Sequence, residues 1–242
     1  MKVLLLAGTA EARAVAAALA VRDIAVIASL AGATRSPATL PVPTRIGGFG
    51  GQAGFEAFLD TEKIDAVLDA THPFAARITA RTAMVCAARG LPCAHLIRPA
   101  STPGKGDDWT MVTQEEDVAA QIPASATVFL ATGRQSLPRF AALAGHRVIL
   151  RVVDPPRTPF PFPGGEFLIA RPPFTAESER HLFNALGIDV VVAKNAGGAE
   201  GRAKLDAARA LRLPVVMIRR PAPPDGTILT SVNDALDWLA GL

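Results

Sequence analysis

The chain has 242 residues, half of them hydrophobic and 19% charged, with a net charge of +3. Such a chain buries a real core in one large or two small domains; it is not disordered, and with no Lys/Arg run, no tyrosine and few aromatics it is not a nucleic-acid binder. No apolar stretch is long enough to span a membrane, Met1-Lys2 runs straight into a strand-like segment, and Cys86 and Cys93 fit no metal or disulfide pattern, so a cytoplasmic protein with no metal and no membrane partner is expected.

Val3 to Leu6 is an unbroken apolar run, Gly8-Thr9 follows at once, and Glu11-Ala12-Arg13 opens a stretch of helix formers. This predicts a buried parallel strand, a tight turn and a helix. Such a turn gathers free backbone N–H groups and the positive end of a helix dipole, which suits a phosphate. The full G-x-G-x-x-G fingerprint is absent, because Thr9 and Ala10 stand where a second glycine is expected. A nucleotide site and a plain strand–helix turn both stay open on this stretch alone. Residues 24–29 predict a second buried strand. It lacks the terminal acidic residue that binds a ribose hydroxyl and runs instead into SLAGATRSP. There Ser29, Thr34, Arg35 and Ser36 suit a ribose carrying a 2′-phosphate, NADP over NAD, with an ordinary polar loop as the alternative.

The glycine-rich residues 43–51, PTRIGGFGG, turn sharply or approach a ligand closely. A helix at 52–61 and a strand at 64–69 follow. Thr71-His72-Pro73 comes next, with Pro73 in the first turn of a helix that Gly90 stops, and then a strand at 91–97. Gly8-Thr9, Ser29 to Thr34, Gly47-Gly48 and Thr71-His72 are therefore expected along one carboxyl edge of one sheet, where open α/β sheets bind ligands. The stretch 98–109, dense in proline, glycine and charge, reads as the crossing between domains.

The second half repeats this order. A short strand at 109–112 and a short helix at 114–121 lead to an apolar run at 127–131. Thr132-Gly133-Arg134 follows it, an echo of the opening turn. Further strands are expected at 146–153, 166–169, 188–195 and 213–218, and helices at 175–186, 202–211 and 231–240, the last capped by Ser231. A proline-dense loop fills 154–164. Lys194 ends an apolar strand, a poor place for an unpaired charge, and is expected to reach a carboxylate or a cofactor unless it snorkels outward. The alternation predicts α/β domains, each a mostly parallel sheet flanked by helices. Arginines outnumber lysines twenty to five, which favours an anionic small molecule as partner, though a high-GC codon bias would produce the same excess.

Taken in order, AGTAEAR at 7–13, DATHPFA at 69–75, ATGRQSL at 131–137, KNAGGAEGRAKLDAA at 194–208 and RRP at 219–221 resemble the precorrin-6A reductase family of cobalamin (vitamin B12) biosynthesis. The resemblance covers nearly the whole chain. It implies two Rossmann-like domains with a cleft between them, residues 1–100 binding NADPH and residues 101–242 contributing to the substrate cleft. It implies an NADPH-dependent oxidoreductase acting on a CH–CH group of a polycarboxylate tetrapyrrole, with hydride delivered to C18 and a proton to C19 to give precorrin-6B. Among partners it suggests a transient hand-over of product to the next enzyme of the pathway. Alternatives are the cobalt-precorrin-6A reductase of the anaerobic route and a non-enzymatic NADP-sensing protein.

The resemblance assigns Gly8, Thr9, Ala10, Glu11 and Arg13 to NADPH, with Ser29, Leu30, Gly32, Thr34 and Arg35 on its adenosine side and Gly47, Thr71 and His72 as further contacts. It assigns Thr132, Gly133, Arg134, Lys194, Asn195, Gly197, Gly198, Lys204 and Arg220 to the substrate. Hydride transfer needs no triad or paired carboxylate, because the cofactor carries the chemistry. The candidate catalytic groups are His72 and Lys194, a proton donor being a histidine, a lysine or a bound water. Local capping by His72 and solvated positions for Arg13 and Lys204 are the competing readings. His95, His146 and His181 have no motif context and read as structural or surface residues. Arg35→Ala is expected to weaken NADPH much more than NADH; an unchanged ratio of the two KM values removes the 2′-phosphate role.

Overall fold

The apolar run at the start forms strand β1 (Lys2–Leu6), with Val3 to Leu6 buried. The computed structural model describes residues 1–32 and 39–242. After β1 come α1 (Ala10–Leu19), β2 (Ala25–Leu30), β3 (Thr44–Ile46), α2 (Gln52–Glu62), β4 (Ala66–Asp69), α3 (Ala76–Arg89) and β5 (Cys93–Leu96). Next are β6 (Trp109–Val112), β7 (Thr127–Ala131), β8 (Arg147–Val152), β9 (Gly165–Ile169), α4 (Ala176–Leu186), β10 (Val190–Lys194), α5 (Ala203–Leu211) and β11 (Val215–Ile218). The last elements are β12 (Thr227–Leu229) and α6 (Val232–Ala240), and 3-10 segments occupy Glu115–Gln121, Arg134–Leu143 and Ala199–Gly201.

The strands make two six-stranded sheets, in the orders β12-β5-β4-β1-β2-β3 and β6-β11-β10-β7-β8-β9. All neighbours are parallel. The two orders are one Rossmann-like pattern, with β7 in the place of β1, β8 of β2 and β10 of β4. In the first sheet the chain begins near the middle at β1, runs out to β3, then crosses to β4; in the second it lays down edge strand β6 first, then runs from β7 in the middle out to β9 and crosses to β10. The crossing leaves a switch point between β1 and β4, and between β7 and β10, the place where such sheets bind ligands.

Successive side chains of β1 supply both faces of the first sheet. Val3 and Leu5 pack with Ala12, Val15 and Leu19 of α1 and with Ala235, Leu236 and Leu239 of α6. Leu4 and Leu6 pack with Phe55 and Leu59 of α2 and Val85 of α3. Strands covered on both sides are necessarily near-continuous apolar runs. In the second sheet Phe129, Ile149, Val191 and Met217 pack with Phe183 of α4 and Leu205 of α5.

Four expectations are corrected. The chain divides into one unit of Met1–Pro99 with Pro221–Leu242 and a second of Ala100–Arg220, so the expected domain 101–242 ends too late. Residues 221–242 return to the first unit because β5 has an open edge, which β12 pairs, and because α6 completes the apolar face of α1. Residues 44–46, read only as part of a glycine-rich turn, form edge strand β3 against β2. The helix after β4 starts at Ala76, beyond Pro73, because the Ala75 N–H closes a turn onto the His72 carbonyl at 2.7 Å. The helices expected at 114–121 and after Arg134 are 3-10, and Pro138 lies inside the latter.

A chain ending at Arg220 is expected to lose the cooperative melting of the first unit, because β5 then keeps an unpaired edge and α1 an exposed apolar face. Circular dichroism melts of the 1–220 and full chains check this, and coincident curves would contradict it.

Candidate active site at the switch points

At the carboxyl end of β1 the chain passes through Gly8, exposed and at φ +149°, with no heavy atom within 4 Å of where a Cβ would stand. Backbone conformation, and not crowding, demands glycine here. Thr9 caps α1. Its hydroxyl accepts the Ala12 N–H at 3.1 Å and donates to the Ala70 carbonyl at 2.8 Å, tying the end of β1 to the end of β4. The Thr9 side chain is thus engaged within the fold, and what this turn offers a ligand is backbone. Ala10 is half-buried behind it and Arg13 lies exposed on α1. Glu11, in the first turn of α1, pairs with Arg98 at 2.5 Å. Arg98 follows β5, so this ion pair reaches past the end of β4 and cancels the carboxylate's charge beside the α1 N-terminus.

Asp69 ends β4 almost completely buried, as is His95 on neighbouring β5. His95 Nδ1 donates to Asp69 Oδ2 at 3.1 Å, while Asp69 Oδ1 accepts the Thr71 N–H at 3.0 Å and the Thr71 hydroxyl at 2.7 Å. Burial alone would raise the Asp69 carboxyl, but hydrogen bonds from His95, Thr71 and Thr79 outweigh it and hold it below the ordinary range. Thr71 is therefore fixed by Asp69, and exposed His72 follows at the rim. His72 Nδ1 accepts the Phe74 N–H at 3.2 Å, a bond local to the turn before α3 and not the helix cap of the competing reading, since α3 begins at Ala76 with no side-chain cap.

Along the same edge lie Ser29, Leu30 and Gly32 after or at the end of β2, and Gly47 after β3. Gly47 N–H donates to the Leu30 carbonyl at 2.8 Å. Arg45 of β3 holds this corner: it donates to Ser29 Oγ at 2.8 Å and to the Gly47 and Gly48 carbonyls at 2.9 Å each, and its guanidinium stands 4.1 Å from the Phe49 ring centre. Thr34 and Arg35 lie outside the described residues.

The switch point of the second sheet is built differently. Thr132 is buried, followed by exposed Gly133 at φ +80° and exposed Arg134. The Thr132 hydroxyl has no hydrogen-bond partner, unlike that of Thr9. Lys194, expected to reach a carboxylate or a cofactor, meets a carboxylate of the protein itself: its ammonium lies 3.1 Å from Glu115, which also meets Arg139 at 3.2 Å. Burial pushes the Glu115 carboxyl up, but the hydrogen bond and charge of Lys194, with Arg139, bring it below its usual range. Asn195, expected to face substrate, turns its amide to the Ser101 backbone, accepting and donating at 2.9 Å each way. Arg220 Nε donates to the Asn195 carbonyl at 3.1 Å, and Lys204 donates to the Gly201 carbonyl at 2.8 Å. Gly197 and Gly198, at φ +67° and +76°, complete this turn. Each of these polar groups is placed beside the expected edge, but most side chains there serve the turn itself. Among the described residues no group of His, Cys, Asp and Glu could hold a metal ion, and no helix is long and apolar enough to cross a membrane.

A family model described as "Precorrin-6x reductase CbiJ/CobK" matches residues 2–240. The chain belongs to the precorrin-6x reductase family. Within it, the chain is 45% identical to the precorrin-6A reductase of Rhodobacter capsulatus over 240 residues, covering 99% of this chain and 96% of that one. It is 44% identical to that of Mycobacterium tuberculosis over 243 residues, covering 100% and 98%. A cobalt-precorrin-6A reductase of Priestia megaterium is 28% identical, covering 98% and 97%. A solved structure titled "CobK precorrin-6A reductase" superposes with a TM-score of 0.95 at 44% identity, covering 100% of this chain and 96% of that chain.

Sequence reading missed Asp69, His95, Arg45, Arg98 and Glu115 in this family member. A signal existed for the first: a carboxylate closing the apolar strand segment AVLD is as anomalous as the lysine closing VVVAK. The carboxyls of Asp69 and Glu115 have depressed pKa values in the fold, so their stabilisation is complete above their ordinary values and is lost as pH falls through the depressed ones. Asp69→Asn is expected to cost about 2 kcal/mol at neutral pH and to flatten the acid limb of the stability curve. Urea unfolding at stepped pH values measures both, and an unchanged acid limb would contradict the role of Asp69.

Proposed function

We propose that this protein is a precorrin-6A reductase that uses NADPH to reduce one double bond of the macrocycle, with hydride to C18 and a proton to C19, giving precorrin-6B. The observation that carries the cofactor reading is the turn at Gly8-Thr9: an open glycine at positive φ leads directly into the N-terminus of α1 at the switch point of a parallel sheet. The residues fit such a group. Arg98 neutralises Glu11, the one carboxylate in the first turn of α1, and nothing crowds Gly8. The backbone of Gly8, Thr9 and Ala10 would hold the pyrophosphate, and Ser29, Leu30 and Gly32 the adenosine side, with Thr34 and Arg35 beyond them. When bound, NADPH supplies the hydride.

The chain's own residues bind and orient. Asp69, pinned by His95, sets the Thr71 N–H and hydroxyl and thereby the place of His72 at the rim. His72 is our candidate to hand the proton to C19: the ring would first take up a proton at Nδ1, giving up the bond from the Phe74 N–H, and the resulting imidazolium would donate from Nε2 and return to the neutral ring. Lys194, held 3.1 Å from Glu115, acts at the second sheet's edge as part of a fixed cationic frame, with Arg134, Lys204 and Arg220 as further groups for the acetate and propionate carboxylates of the substrate. The polar, glycine-bearing turns of both units favour an enzyme over a sensor with a partner-binding second half. Identities of 42–45% with precorrin-6A reductases, against 28% and 26% with cobalt-precorrin-6A reductases, favour the cobalt-free substrate. Hand-over of product to the next enzyme would suit a rim-exposed site and is part of this reading.

Pure protein with NADPH and precorrin-6A is expected to oxidise the cofactor and shift the macrocycle's absorbance together. Turnover only with the cobalt-containing macrocycle would move the assignment to the anaerobic route, and none with either would end it. His72→Ala is expected to lower kcat about 10²-fold or more if His72 gives the proton; a preserved kcat transfers that role to another group or to water.

A further inference from the structure

Residues 24–55 and 70–89 supply β2, β3, the glycine turn, the turn that follows Asp69 of β4 and all of α3, yet together contain no Asp and no Glu. They contain Arg35, Arg45, Arg77, Arg81 and Arg89. Arg89, at the far end of α3, pairs with Asp60. Arg45, Arg77 and Arg81 pair with no carboxylate among the described residues. Arg45 and Arg81 both address Phe49, with guanidinium carbons 4.1 and 5.7 Å from the ring centre, and Arg81 also donates to the Gly51 carbonyl at 3.3 Å. Arg81 Nε is buried without a hydrogen-bond partner among the described residues. Arg77 is exposed one turn earlier on α3.

This arrangement is unfavourable in itself. Like charges four apart on a helix repel, and cations in the first turns oppose the helix dipole. Burial first, and the charge of Arg77 second, make the Arg81 guanidinium less basic than usual. Three guanidiniums gathered at a ligand-binding edge with no counter-charge lack only an anion.

We propose that Arg77 and Arg81, backed by Arg45, form a phosphate site that takes the 2′-phosphate of NADPH. The assignment rests on the reading that the first unit holds that cofactor. Arg45 supplies the position: it hydrogen-bonds Ser29 at the carboxyl end of β2, and in this strand order the adenosine ribose lies beyond that end. A phosphate monoester carries nearly two charges and three acceptor oxygens, which matches forked guanidinium donors better than a single carboxylate does. Arg45 is the positioning residue, since its donors already hold Ser29, Gly47 and Gly48. Arg77 and Arg81 are the ligands from this side, and the share read for Arg35 from sequence is tested separately by the ratio of NADPH and NADH KM values.

The test titrates the full chain by calorimetry with adenosine 2′,5′-bisphosphate and with AMP, which lacks the 2′-phosphate. The double variant Arg77→Gln/Arg81→Gln is expected to bind the bisphosphate about tenfold or more weaker and AMP unchanged. Arg77→Gln alone, at an exposed position, is expected to show the same preference more weakly and serves if the double variant misfolds. Wild-type protein that binds neither probe overturns the NADPH reading and this site with it. Wild-type binding with equal affinity in the variants overturns the site alone. An unchanged bisphosphate affinity with a raised KM for the macrocycle assigns the arginines to a substrate carboxylate and overturns the phosphate assignment.

Discussion

The buried carboxylate of Asp69 is the constraint around which the first unit is arranged. An ionised group in an apolar sheet survives only if every oxygen is satisfied. Here one oxygen takes His95 and the other takes both donors of Thr71. The carboxylate therefore dictates the path of the chain as it leaves β4. That path brings the Ala70 carbonyl to the Thr9 hydroxyl, and the same hydroxyl caps α1. Three elements, β1, β4 and α1, thus meet through one short chain of hydrogen bonds. The turn that is to hold a ligand is rigid before any ligand arrives, which lowers the ordering cost of binding.

The second unit repeats the strand order but solves its edge with ion pairs. Glu115 draws Lys194 and Arg139 together, and Asn195 grips the backbone at Ser101. Where Thr9 opens a true α-helix, Thr132 precedes a 3-10 segment that contains Pro138 and is kinked at Phe140. A duplicated sheet has therefore been given two different mouths. The first, with glycine, a helix N-terminus and a neutralised acid, has the character that suits a dinucleotide; the second, with fixed cations and glycines at positive φ, has the character that suits a polyanion.

Much of this architecture was legible because parallel strands buried on both faces leave unbroken apolar runs, as at Val3 to Leu6 and Val190 to Val192. Their carboxyl ends, and so the positions of Gly8, Thr71, Thr132 and Gly197, follow from topology. Strands β3 and β12 were not legible. Each has three residues at a sheet edge, and exposed Ile46 and Ile228 break any burial pattern. Side-chain roles were also hidden where the partner is remote in sequence: Thr9 meets Ala70, Asn195 meets Ser101 and Lys194 meets Glu115. Neither local spacing nor composition reports such pairings. Thr34 and Arg35, read from sequence as adenosine contacts, lie outside the described residues.

The return of residues 221–242 to the first unit has a consequence for synthesis. Domains generally fold as units while the chain emerges, N-terminal first, at about 5–20 residues per second. Here the first unit to be made is the last that can be finished, because the whole of Ala100–Arg220 is inserted before β12 and α6 exist. For that interval β5 presents an unpaired edge, the feature most prone to pair with the wrong chain. The closing segment is also short and opens with a proline-rich connection, Pro221 to Pro224. Assembly of the first unit thus waits on residues 221–242, and any ribosome that stops before them releases a nascent protein whose inserted unit is complete and whose outer unit is not.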